Sequence, residues 1–193
     1  MKKLNHFLTN CTIYNSMKRI KVWKLFPALV LFMVFSGLSA QDGKILSIKE
    51  TLAGVEVKGE EDGPMLESLL RDVHKAIYLD DGKITIAGKN TPSNDILVAF
   101  SDVASIEELY VLNPDFARVK LLRVEITGPA EAGVNLDLSR LIGFGNLKYV
   151  LVLFSYDACG NNSDNCLEGL VHGMISGTRK NLKAVIYQLS IPE

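Results

Sequence analysis

Acidic residues are absent from the first 40 positions, although the chain of 193 residues contains 22 of them. Six of the 21 Lys and Arg residues lie in this stretch, so residues 41–193 carry 15 basic and 22 acidic side chains, a net charge of −7. A domain with that charge is repelled by phosphate backbones, and it shows no basic patch to offset the repulsion. We therefore expect no nucleic-acid partner.

The chain also lacks an apolar run of the length that an ordinary membrane-spanning helix needs. Basic residues between positions 18 and 24 precede an uncharged stretch of 16 residues, 25–40, whereas a spanning helix needs roughly 20. The stretch closes with small residues and ends at Ala40, before Gln41. A basic start, a short apolar run and small residues are the three successive parts of a secretory signal peptide.

This order predicts that residues 1–40 are a signal peptide, removed between Ala40 and Gln41. Because Met17 opens a conventional signal by itself, we expect residues 1–16 to be an upstream extension. Residues 41–193 then form a single mature domain in the periplasm or the extracellular space, which meets the membrane only transiently through its leader. An uncleaved membrane anchor is the alternative.

Cysteine is scarce, with three residues in the chain. Cys11 lies in the leader, and Cys159 and Cys166 flank six polar, turn-forming residues. An even pair in an exported domain predicts a disulfide. A redox-active pair is the alternative, but that chemistry usually has two intervening residues.

Patterns for catalysis or metal binding are missing as well. Only His74 and His172 lie beyond the leader, and the chain has no G-x-S-x-G, H-x-x-x-H or C-x-x-C. Serine hydrolases need a nucleophile, a base and an orienting acid, and zinc sites need closely spaced ligands. We therefore assign no catalytic residue, no metal and no cofactor.

The sequence pattern predicts an α+β segment in the first half of the mature domain. Alternating side chains predict short strands over 44–49 and 53–58, and apolar spacing predicts a helix from Pro64 to about residue 74. Asp81-Gly82 between two alternating runs predicts a tight β-hairpin. The polar residues 89–95 then mark a seam.

The second half changes to apolar strands separated by helical segments. Such strands predict a parallel sheet that is covered on both faces, so the fold class is α/β. A helix is predicted over 166–178, where glycine at every fourth position indicates close packing on the sheet. The strand candidates are 120–127, 147–155 and 182–190.

A short frame recurs in this half. Residues 146–150 (NLKYV) and 181–185 (NLKAV) share it, and the same L-x-x-L-x-L spacing occurs at Ile106, Leu109 and Val111 and at Leu121, Val124 and Ile126. Residues 105–190 therefore resemble a leucine-rich repeat, which implies a short parallel, repeat-like layer of strands and helices that binds a partner. An ordinary compact α/β domain is the alternative.

The loop after strand 147–155 is rich in oxygen ligands. Asp157, Asn161, Asn162 and Asp164 make it the preferred binding loop, because open parallel sheets bind ligands beyond the carboxyl ends of their strands. Calcium also prefers such ligands, but the spacing fits no helix-loop-helix calcium site. A polar turn closed by the disulfide explains the same composition.

These observations favour an exported, non-enzymatic binding protein of the cell envelope, with a protein or an envelope component as its partner. An envelope hydrolase with unidentified catalytic residues and a structural envelope subunit are the alternatives.

Overall fold

The structure is a computed structural model, and it describes residues 44–53, 62–88, 95–160 and 164–191. The chain divides into two units, Met1–Ala40 and Gln41–Glu193. The predicted leader lies outside the described residues, as do most of the predicted strand 53–58 and residues 89–94 of the predicted seam.

Seven of the nine described strands form one sheet, and the other two form a small parallel pair. The strands are β1 (Lys44–Ser47), β2 (Lys75–Asp80), β3 (Lys83–Ala87), β4 (Ile96–Ser101), β5 (Leu121–Ile126), β6 (Leu136–Asp137), β7 (Tyr149–Phe154), β8 (Ile175–Ser176) and β9 (Ala184–Leu189). The large sheet has the order β1-β9-β7-β5-β4-β2-β3, and the pair is β6-β8. In the large sheet every neighbouring pair is parallel except the β2–β3 hairpin. The predicted α/β class is confirmed.

Strand β7 shows why the sheet is parallel and covered. All six of its residues, YVLVLF, are buried, so both faces of this central strand are shielded from water. Parallel strands in α/β proteins have this continuous apolar character. By contrast, all five residues of edge strand β3 are exposed.

The described helices are α1 (Ile48–Leu52), α2 (Asp62–Arg71), α3 (Ile106–Leu109) and α4 (Asp164–Met174), with short 3₁₀ turns between. The predicted strand 44–49 was wrong at its end, because Ser47 starts α1 with a capping box. Its hydroxyl accepts the Glu50 N–H at 3.2 Å, and the Glu50 carboxylate accepts the Ser47 N–H at 2.9 Å.

Separate apolar clusters cover the two faces of the sheet. On the first face, α4 contributes Leu167 and Val171 to the larger core. On the second face, α2 packs Leu66 and Leu69 against strand residues that include Tyr149. The second face, here called the α2 face, is the one that carries the candidate site.

The repeat spacing at Ile106, Leu109 and Val111 falls on a short helix and the residues just after it. Ile106 and Leu109 belong to α3, where both are buried. Residues three positions apart lie on the same side of a helix, and the L-x-x-L frame has the same spacing. The pattern therefore cannot distinguish a helical turn from a repeat strand. The repeat spacing that begins at Leu121 starts one residue too early. Leu121 lies in the apolar cluster of the α2 face, whereas Leu122 lies in the larger core.

Glycines in and after α4 differ in their surroundings. A Cβ added at Gly169 or Gly173 would meet open space, so the predicted close packing at these positions was wrong. Gly177 has a positive φ of 68°, and a Cβ there would collide with the Asp137 carboxylate and the Ser139 backbone. Only glycine fits this position without strain.

The predicted hairpin is confirmed, and a carboxylate fixes its tip. Asp81 and Gly82 both have positive φ, as this tight turn requires. Asp102 accepts the N–H of Asp81 at 3.0 Å and the N–H of Ser105 at 2.8 Å. Burial raises the pKa of Asp102, but these hydrogen bonds outweigh it and hold the pKa below its ordinary value.

Candidate binding site on the α2 face

A row of side chains crosses the sheet on the α2 face. Tyr78 of β2 lies beside Phe100 of β4, Phe100 beside Arg123 of β5, and Arg123 beside Leu151 of β7. Residues in register on neighbouring strands point to the same face, so the four side chains are adjacent. The row therefore joins two aromatic rings, one cation and one aliphatic residue.

The aromatic rings and the guanidinium support one another. The Tyr78 and Phe100 rings stack with centroids 4.8 Å apart and planes within 5°. The Arg123 Cζ lies 5.6 Å from the centroid of the Phe100 ring, within the range of a cation–π contact. Tyr78 remains 38% exposed, so the row meets solvent at its β2 end.

A cavity of about 210 Å³ lies between this row and the end of α2. Its apolar wall includes Leu69 and Leu70 of the helix and Val98 of the sheet. Arg123 and Tyr78 line it from the sheet side. A cavity that joins apolar walls to a few polar groups is the usual form of a small-molecule site.

The two histidines beyond residue 40 occupy different surroundings. His74 lines the cavity, and its Nε2 lies 2.8 Å from the Ser68 carbonyl oxygen, to which an Nε2–H donates. His172 lies on the outside of α4, with its Nε2 3.9 Å from a Glu168 carboxylate oxygen and both side chains about half exposed. The structure therefore places one histidine against a backbone carbonyl and the other at the surface.

The predicted cysteine pair lies at bonding distance. Cys159 and Cys166 form a disulfide, and their Cα atoms lie 6.1 Å apart. The bond links the chain after β7 to the first turn of α4.

The structure describes the predicted binding loop only in part. Asp157 Oδ1 accepts the N–H groups of Cys159 at 3.3 Å and Gly160 at 2.8 Å, which makes a local turn. Asn161 and Asn162 lie outside the described residues, and so does the side chain of Asp164, the first residue of α4. A ligand at this loop stays a prediction.

A second cavity, of about 290 Å³, lies at the carboxyl ends of β1 and β9. Ser47, Tyr187 and Leu167 are among its lining residues. Ligands of open parallel sheets bind at this end of the strands. The α2-face cavity has the more distinctive chemistry, because it combines stacked aromatic rings with a guanidinium.

The sequence did not single out Tyr78, Phe100 or Arg123. They lie in three different strands, and only the pairing of β2, β4 and β5 brings them together. Across the described ranges, no three metal-ligating side chains are grouped as a metal site. No helix in the described part of the chain has the length and apolar character to cross a membrane.

The comparisons with known proteins give no relative. No protein-family model matches the chain, and no curated protein or solved structure matches it significantly. The candidate site therefore rests on its own geometry.

Proposed function

We propose that residues 41–193 form an exported, non-enzymatic binding protein of the cell envelope, and that its partner contacts the α2 face. The observation that carries this proposal is the row of Tyr78, Phe100 and Arg123 on that face. Tyrosine and arginine are enriched where interfaces derive most of their binding energy.

Among the described residues, the cover of the sheet on the α2 face is incomplete, which supports this proposal. Parallel sheets are normally covered on both faces, and α2 covers the α2 face over Leu121 and Tyr149. Beyond the helix, Tyr78 and Phe100 remain partly accessible. A partner that covers the two rings would remove apolar surface from water, which favours association.

Export rests on the sequence. The succession of basic, apolar and small residues within positions 1–40 supports export. The disulfide between Cys159 and Cys166 is compatible with an oxidising compartment. The experiment is mass spectrometry of the protein from its native compartment. We expect a chain that begins near Gln41 with both cysteines oxidised, and a full-length cytosolic chain would contradict export.

The repeat-like layer over residues 105–190 is part of the same proposal. From β2 onward, neighbouring strands follow chain order through β4, β5, β7 and β9. Buried residues Val119, Leu147 and Leu182 precede β5, β7 and β9, each three positions before an inward side chain. This recurrence supports a stacked, leucine-rich-repeat-like arrangement, whose exposed sheet face would bind a partner.

A capture experiment tests the binding surface. The immobilised mature domain is incubated with envelope extract, beside a Tyr78→Ala, Arg123→Gln double variant and a Leu112→Ala control. Leu112 is 72% exposed and does not line the cavity. We expect the wild type and the control to retain the same component and the double variant to lose it. Equal capture by all three would refute the α2 face as the binding surface.

A further inference from the structure

Arg123 is a cation at the wall of the α2-face cavity. Its guanidinium lies over the ring of Phe100, and Leu151 and Leu121 line the same wall. Among the residues that the structure describes, no carboxylate lies within ion-pair distance of Arg123. A guanidinium has five N–H donors in a planar fork, so stacking on a ring leaves its edge available to a carboxylate.

Asp72 and His74, two other ionisable residues of the cavity, already have partners. The Asp72 carboxylate accepts the Ser68 hydroxyl at 2.6 Å, and His74 contacts the carbonyl of the same serine. Among the described residues that line the cavity, the N–H donors of Arg123 therefore have no acceptor. Its positive charge attracts an anion locally, against the net charge of −7 on residues 41–193, which repels anions at longer range.

The size of the cavity limits the ligand. Its volume is about 210 Å³. An apolar cavity of about 150 Å³ holds benzene, which has six non-hydrogen atoms. By proportion, this cavity has room for roughly eight non-hydrogen atoms, the number of carbon atoms in octanoate. This size fits a medium-length aliphatic acid or a small aryl-alkanoic acid.

We propose that the α2-face cavity binds a small amphipathic carboxylic acid. The apolar part of the acid lies against Leu69, Val98 and Phe100, and its carboxylate accepts hydrogen bonds from Arg123. This inference goes beyond the proposed function, because it assigns a small-molecule ligand, and not a macromolecule, to a cavity on the same face.

The test compares an acid with the alcohol of equal chain length. Titration calorimetry on the purified mature domain uses octanoate and octan-1-ol, which differ in the charged end. We expect saturable binding of octanoate, about fivefold tighter than that of octan-1-ol, since a partly exposed ion pair contributes at most about that factor. Raising the salt concentration should narrow the difference, because salt screens the pair.

Substitutions of Arg123 test whether its charge binds the carboxylate. We expect Arg123→Gln to bring octanoate binding down to that of octan-1-ol, Arg123→Lys to retain part of the preference, and Leu112→Ala to bind as the wild type does. Equal binding of acid and alcohol by the wild-type domain would overturn the proposal without any variant. Absence of octanoate binding at millimolar concentration would also overturn it.

The outcome is separable from that of the proposed function. If the capture experiment succeeds and octanoate does not bind, the face binds a macromolecule and the cavity has no acid ligand. If octanoate binds and capture fails, the small-molecule site stands and the macromolecular partner does not.

Discussion

Removal of the disulfide gives a quantitative prediction. The perturbation is the double substitution Cys159→Ser, Cys166→Ser. The bond spans a sequence separation of seven and ties the segment after β7 to the start of α4. Cys159 also packs against the larger core, so the bond anchors a surface loop to buried structure.

The magnitude follows from the length of the closed loop. The chain-entropy estimate for a loop of about eight residues is roughly 2.5 kcal/mol of stability. A domain of this size has a urea dependence of about 2 kcal/mol per M, so the unfolding midpoint should fall by roughly 1 M.

The assay is urea unfolding followed by circular dichroism, with wild-type protein in dithiothreitol as the matched control. Reduced wild type and the double variant should unfold at the same midpoint, because both lack the cross-link. A midpoint shift below about 0.3 M would refute the loop-closure reasoning. A reduced wild type that stays as stable as the oxidised one would refute it equally.

Five further substitutions are tested by unfolding measurements, two of them as matched controls. Gly177→Ala should cost about 1–3 kcal/mol through positive φ and collision, whereas Gly169→Ala, in open space within α4, should gain up to about 1 kcal/mol. Leu69→Ala should cost about 3 kcal/mol because its side chain is buried between α2 and the sheet, while exposed Val73→Ala should change stability by less than about 0.5 kcal/mol. Asp102→Asn should cost roughly 1 kcal/mol at neutral pH, where the hydrogen-bonded carboxylate is charged.

Acid titration gives the sign of the Asp102 effect. The folded state lowers its pKa, so the stabilisation is complete above the unfolded value of about 3.9. It declines as the pH falls through the lower folded value. The stabilities of wild type and Asp102→Asn should therefore converge in acid. A difference between them that is unchanged at low pH would contradict this assignment.

Strongly patterned elements were predictable from the sequence. Apolar runs predicted β7 and β9, Asp81-Gly82 predicted the hairpin, and helical spacing predicted α2 and α4. In each case one physical signal dominates, either burial on both faces or a backbone conformation that few residues adopt.

Short elements and the site were harder to predict. The four-residue helix α3 has the same apolar spacing as a strand frame, and α1 depends on a cap at Ser47. The contacts among Tyr78, Phe100 and Arg123 depend on the register of three strands that are separated along the chain. Register is set by long-range pairing, which a local pattern does not contain.

The central claim is that the α2 face meets a partner outside the cytoplasm. Photo-crosslinking in the native cell tests it most directly, with a benzoylphenylalanine placed at position 78 or, as the control, at position 112. We predict a discrete cross-linked product from position 78 in the envelope fraction and none from position 112. Equal products from both positions, or none from position 78, would contradict the account.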